Sequence, residues 1–230
     1  MENELISDPV PKLEKTKKKE KTFISERGYG ILKSEFSIRE VEKIKNDLTV
    51  KPNVNTDYGQ NPSSFKIYLE SNKKLYLPKH YGISKLGSPD AINLQSTPII
   101  DFRFVGNLRE TQMPVINAFM DSCNTNNSYS TSSRGGIISV PCGFGKTVLA
   151  LYLIYKLKKK SLVIVHKEFL VNQWKERIHQ YLPDAKIGRI QGSVIDIENC
   201  DIVIGMLQSL SMKEYEKTLF NDFGFCIIDE

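Results

Sequence analysis

The period of the apolar positions changes near Arg134 of this 230-residue chain. Downstream, short apolar runs at 136–141, 161–166, 187–191, 201–206 and 225–229 read as strands. Between them, stretches near 146–158, 168–181 and 210–221 repeat their apolar positions at helical spacing. Strands alternating with helices predict an α/β fold, a parallel sheet with helices on both faces and ligands at the carboxyl ends of the strands. Upstream, Phe36, Val41, Ile44 and Leu48 predict a helix over 34–50, with Ser37 as N-cap and Glu40 three residues on. Phe65–Glu70 and Lys74–Leu77, separated by Ser71-Asn72-Lys73 and closed by Pro78, predict a β-hairpin. Leu108–Met120 is an amphipathic helical stretch, and the polar segments 53–64 and 121–133 read as loops.

This pattern divides the chain into three parts. Residues 1–22 form a Lys-rich polar tail, too poor in apolar groups to offset the entropy of ordering, and are expected to be disordered. Residues 23–105 form a small α+β domain, and residues 106–230 the α/β domain. A content of 40% hydrophobic and 26% charged residues fits a globular protein, and a net charge of +5 allows a polyanionic partner without demanding one. The tail suits an import signal, a nucleic-acid arm or a solvating segment alike. Lys66, Tyr68, Lys73, Lys74, Tyr76, Lys79, His80 and Tyr81 suit a nucleic-acid surface or the two faces of ordinary strands. Cys123, Cys142, Cys200 and Cys226 lack metal-ligand spacing and read as reduced thiols. With no signal sequence and no apolar run of membrane length, the chain is expected to be intracellular and soluble, with no membrane partner.

The chemistry concentrates in Val140-Pro-Cys-Gly-Phe-Gly-Lys-Thr147, between a predicted strand and a predicted helix. Gly143 and Gly145 let backbone N–H groups turn toward a phosphate. Lys146 can reach a β- or γ-phosphate, the Thr147 hydroxyl can hold Mg²⁺, and the helix start adds its positive dipole. The strict phosphate-loop pattern places a Gly where this chain has Val140. The strand Phe225-Cys-Ile-Ile-Asp-Glu230 ends in two carboxylates. Asp229 in such a place can hold Mg²⁺, and Glu230 can polarise an attacking water.

Taken together, these motifs resemble the N-terminal portion of a superfamily-2 DNA/RNA helicase, ending in the Walker B acids. Leu108-Arg-Glu-Thr-Gln112 resembles the upstream segment whose Gln reads the adenine edge, which would assign Arg109 and Gln112 to the base. The loop residues Pro141, Cys142, Gly143, Phe144, Gly145, Lys146, Thr147 and Val148 would then bind the nucleotide. Val163–Trp174, Gly188–Ser193 and Asp201–Ser209 resemble the segments that touch the nucleic-acid backbone, with Lys167, Gly192, Ser193 and Gln208 as the contacts. Trp174, Leu170 and Ile178 read instead as core residues. The Leu-Val-Asn-Gln-Trp wording and the Pro-Cys-Gly-Phe-Gly-Lys-Thr loop are similar to the excision-repair/transcription-factor branch and its relatives in large DNA viruses, whose loops also lack the first Gly.

The resemblance implies a RecA-like lobe that uses ATP and Mg²⁺, with DNA, or alternatively RNA, as partner, in a nucleus, a viral factory or a virion. It also implies a second RecA-like lobe with an arginine finger, beyond Glu230, without which hydrolysis should be poor. A non-catalytic nucleic-acid binding module and a small-molecule kinase are the competing readings.

Overall fold

The structure is a computed structural model that describes residues 20–51, 63–123 and 135–229. The expected tail up to residue 19, most of the two expected loops and Glu230 lie outside the described residues. The chain divides into two compact units, Met1–Asn93 and Leu94–Glu230. That junction lies upstream of the one read at 105/106, because Ile100, Phe102 and Phe104 pack into the second unit's core.

In the first unit, strands β1 (Thr22–Ser25) and β2 (Gly28–Leu32) are followed by helix α1 (Ile38–Asp47). Next come β3 (Thr49–Val50), β4 (Phe65–Lys66), β5 (Leu69–Glu70), β6 (Lys74–Leu77), helix α2 (Lys79–Leu86) and β7 (Ala91–Ile92). Five of the strands form a sheet in the order β5-β6-β2-β1-β7. Thr22, read from sequence as the end of the tail, instead opens β1, and its N–H and hydroxyl both donate to Asp90 Oδ2. Ser37 and Glu40 form the expected capping box on α1: the Glu40 N–H donates to Ser37 Oγ (3.3 Å) and the Ser37 N–H to Glu40 Oε2 (2.8 Å). The expected hairpin splits in its first arm. The Ile67 N–H donates to the Leu48 carbonyl (2.9 Å), so β4 pairs with β3 and only β5 pairs with β6. Ile24, Tyr29, Ile31, Val41, Ile44, Leu48, Leu75 and Leu77 form the unit's core.

The second unit holds α3 (Met113–Cys123), α4 (Lys146–Leu157), β8 (Ser161–Val165), α5 (Glu168–Tyr181), β9 (Ile187–Gln191), β10 (Val194–Asp196), β11 (Ile202–Met206), α6 (Leu207–Met212) and β12 (Phe225–Asp229). Its sheet runs β10-β9-β11-β8-β12. Strands β9, β11, β8 and β12 are mutually parallel, and β10 closes one edge as an antiparallel hairpin arm. Alternation along each strand sends residues to opposite faces. Val163, Val165, Ile202 and Ile204 pack with Val171, Trp174 and Ile178 of α5 and Leu151 and Ile154 of α4. Leu162, Ile190 and Val203 pack with Leu210, Tyr215, Phe220 and Phe223 on the other face. This is the expected α/β class, with helices on both faces of a parallel sheet.

Three elements differ from their reading. Leu108–Met120 begins with a 3-10 turn at Glu110–Gln112, and α3 starts only at Met113. The helix expected over 210–221 breaks into α6 and a 3-10 turn at Lys217–Phe220. Most telling, the strand expected over 136–141 joins no ladder. Backbone in an apolar run becomes a strand only where a neighbour accepts its hydrogen bonds. Beside this segment lies a cavity of about 560 Å³, lined by Gly136, Ile137, Val140, Cys226, Ile228 and Asp229 among others. Among the described residues, no strand pairs with the outer edge of β12, and Ile228 there is 73% exposed.

Candidate nucleotide site at the carboxyl edge of the sheet

The loop Pro141–Gly145 leads into α4, whose N-cap Gly145 is left-handed at φ 93°. A side chain there would be strained by that φ, and its Cβ would stand 2.7 Å from Gln112 Nε2. Gly143 is also left-handed, at φ 76°, but nothing lies within 4 Å of where a Cβ would sit. One glycine is thus required by its neighbours and its φ, the other by φ alone.

Two side chains from the turn before α3 hold the loop. Gln112 is only 3% exposed. Its Oε1 accepts from the Arg109 N–H (2.9 Å), and its Nε2 donates to the Phe144 carbonyl (2.7 Å). The Arg109 guanidinium donates to the carbonyls of Gly143 and Phe144 and lies over the Phe144 ring. The Gln112 amide, read from its resemblance as a contact to adenine, is here engaged at both ends with the chain itself.

Asp229 reaches the same place from the sheet. Phe225 and Ile227 on β12 pack against the core on α5's side, and the two-residue period puts Asp229 on that face. Its Oδ2 accepts from the Trp174 indole Nε1–H (2.7 Å). Trp174 is core, as read, being 1% exposed. Its contact with the acid was not visible in the sequence, where the two lie 55 residues apart.

A cavity of about 600 Å³ is lined by Gly143, Gly145, Lys146, Thr147, Val148 and Asp229, within the ~300–1,000 Å³ usual for small-molecule sites. His166, Lys167, Gln173, Arg177 and Tyr181 line it as well. Lys146, Lys167 and Arg177 set three cations against the one described carboxylate, which favours an anion. Thr147 and Asp229 are the groups suited to a hard divalent ion, which keeps several waters and takes one or two protein oxygens beside phosphate. Among the described residues, no cluster of three His, Cys, Asp or Glu could hold a metal alone. The lining thus fits a nucleotide with its metal. Pro141 and Cys142 are exposed at the loop's outer turn and do not line this cavity.

Arg177 and His166 were not singled out from the sequence. Gln173 and Arg177 lie one turn apart on α5, on the flank beside the core stripe Val171, Trp174 and Ile178, and Tyr181 continues that flank against the core, so the polar pair beside the stripe was the available signal. His166 Nδ1 is buried and has no hydrogen-bond partner among the described residues; no sequence pattern marks it.

The residues read as nucleic-acid contacts share the same sheet edge, since the parallel register brings Val165, Met206 and Asp229 level, with Ile190 opposite Gly205 one residue earlier. Lys167 is exposed at the N-cap of α5. Gly192 and Ser193 form the two-residue turn between β9 and β10, where the Gly192 φ of 56° suits a hairpin turn. The Gly192 N–H donates to Ser209 Oγ (2.9 Å), and Gln208 Nε2 donates to the His166 carbonyl (2.8 Å). In the first unit, by contrast, Lys66 lies over Tyr68 and Arg27 over Tyr76, so those rings are met by the chain's own cations.

No helix among the described residues is long and apolar enough to cross a membrane. Residues 106–230 match the family described as "Type III restriction enzyme, res subunit". A protein of Acanthamoeba polyphaga mimivirus, named as an ATP-dependent RNA helicase, is 34% identical over 216 residues, 91% of this chain and 40% of its own length. The DNA 3'-5' translocase XPB2 of Sulfurisphaera tokodaii is 38% identical over 97 residues, 42% of this chain and 21% of its own. The Sulfolobus solfataricus SWI2/SNF2 ATPase core, solved in complex with dsDNA, aligns with 60% of this chain and 28% of its own at 21% identity and a TM-score of 0.43. This chain therefore spans well under half the length of these relatives. With more than half of its residues matched to the family, it belongs to the Type III restriction enzyme res-subunit family of superfamily-2 helicases.

Proposed function

We propose that this chain is the first RecA-like ATPase lobe of an ATP-dependent nucleic-acid helicase or translocase. The observation that carries this reading is the one cavity bounded by the loop glycines, Lys146, Thr147 and Asp229, rich in cations and set at the start of α4. Lys146 binds the β- or γ-phosphate, and Pro141–Val148 supply the loop around it. Thr147 and Asp229 would hold Mg²⁺, and Glu230 would position the attacking water. Arg109 and Gln112 keep the loop in shape and lie beside the base. Bound Mg²⁺ supplies neutralisation of the charge that develops on the phosphate oxygens. Lys167, Gly192, Ser193 and Gln208 meet a nucleic-acid backbone along the carboxyl edge, contacts that position without reading sequence. DNA is the expected track and RNA the alternative, since one relative is named an RNA helicase and another a DNA translocase. Turnover requires a second RecA-like lobe carrying an arginine finger. The mimivirus relative favours a viral factory as the setting, with a nucleus as the alternative.

The test is a titration of a fluorescent ATP analogue into this chain, with Mg²⁺ or with EDTA. Wild type should bind in a Mg²⁺-dependent way, and Lys146→Ala should bind about tenfold more weakly or worse, the worth of one charge-assisted hydrogen bond. Equal binding by the two would end the assignment. Salt-sensitive DNA binding with no nucleotide binding at all would put the non-catalytic module in its place.

A further inference from the structure

An indole N–H is a donor only, and one buried in a core must find an acceptor there. Trp174 stands in the middle of α5's core stripe, 1% exposed, with Val171 and Ile178 on either side. The acceptor it finds is a side chain from another element. It is Asp229 Oδ2, at 2.7 Å. That carboxylate is only half-buried and also lines the cavity at the strand end, so the indole bond fixes one oxygen of a group that faces the site.

We infer that Trp174 is a positioning residue for Asp229: its indole N–H fixes the carboxylate through Oδ2 and so orients the acid that holds the metal. This rests on the nucleotide reading above. The ring is locked by packing against Val163, Val165 and Ile204, so the donor is held by the core itself. Asp229 in turn is placed by its register opposite Val165. Donor and acceptor are therefore both fixed by the folded sheet before any ligand arrives. A partner that holds a metal-binding oxygen in this way tunes affinity from outside the coordination shell.

Trp174 is also the chain's one tryptophan, so its indole N–H gives a single resonance and its emission is unmixed. Trp174→Phe keeps an aromatic ring in the core while removing the donor and part of the ring volume. In the fluorescent-nucleotide titration, its Mg²⁺ requirement should rise by about tenfold to a hundredfold, while affinity in EDTA stays at the wild-type value. A variant damaged merely in packing would lose both. Because Trp174→Phe could fail to fold, the indole ¹⁵N–H resonance of the otherwise unaltered chain is followed as well. It should move on addition of Mg²⁺ with nucleotide but not of nucleotide in EDTA, and Asp229→Ala should shift it and speed its exchange with water. An indole signal indifferent to Asp229→Ala, or a folded Trp174→Phe with wild-type Mg²⁺ dependence, overturns the inference while leaving the nucleotide site intact. Absence of Mg²⁺-dependent binding by wild type overturns both readings together.

Discussion

The two halves of the candidate site are held by opposite means. Asp229 sits at the end of a ladder: β12 pairs residue for residue with β8, and β8 with β11. The loop carrying Lys146 and Thr147 follows a segment, 135–141, that pairs with no strand among the described residues. It is held instead by Gln112 and Arg109, whose side chains bind the Phe144 and Gly143 carbonyls. A ladder is a cooperative structure in which each hydrogen bond supports the next. A clamp of two side chains can be undone by one substitution. The acid is thus part of the fold's stability, whereas the loop can be altered with the fold intact.

Four substitutions test this contrast, ordered by expected size. Ile204→Ala, at a fully buried position of β11, should destabilise the unit by about 2–5 kcal/mol, read by urea unfolding. Lys146→Ala should leave that unfolding curve unchanged. In a longer protein carrying both lobes, it should lower ATP turnover about a hundredfold or more, the scale of losing one preorganised donor. Gln112→Ala takes from the Arg109 N–H its side-chain acceptor and leaves the Phe144 carbonyl to the Arg109 guanidinium alone. It should cost about 1–3 kcal/mol, and hydrogen exchange should quicken in the loop while β8, β11 and β12 stay protected. Exchange rising equally in the strands would break the contrast. Lys167→Ala should have the smallest effect: DNA binding weakens alike for all sequences, and the slope of log affinity against log salt falls by about one.

The sequence made the ladder legible more fully than the clamp. The runs at 161–166, 187–191, 201–206 and 225–229 each became a strand; those at 161–166 and 201–206 are apolar nearly throughout, as a strand buried in a parallel sheet must be, and Ile187-Gly-Arg-Ile-Gln191 alternates instead. The run at 136–141 is just as apolar, yet apolarity does not say whether a neighbouring edge is present to pair with it. The same blindness to pairing split the hairpin arm at Ile67, which bonds to Leu48 rather than to β6. In the site, Lys146 and Thr147 were found because their chemistry is local to one loop. The Trp174–Asp229 bond joins residues 55 apart, and Gln112 reaches Phe144 across 32. Nothing periodic in the chain records such distances. The helix read over 210–221 failed for a related reason. Tyr215 bonds to the Ser209 carbonyl and the Lys213 ammonium to the Gly192 carbonyl, tertiary contacts that accompany an extended Lys213 at the end of α6.

The outer edge of β12 has a consequence for the chain's colloidal behaviour. A strand edge that pairs with no other strand among the described residues, with an isoleucine 73% exposed beside it, is a template onto which another copy can add a strand. Preparations of this chain should therefore scatter light increasingly with concentration. Ile228→Lys, which puts a repelling charge on that edge, should hold them monodisperse to higher concentration.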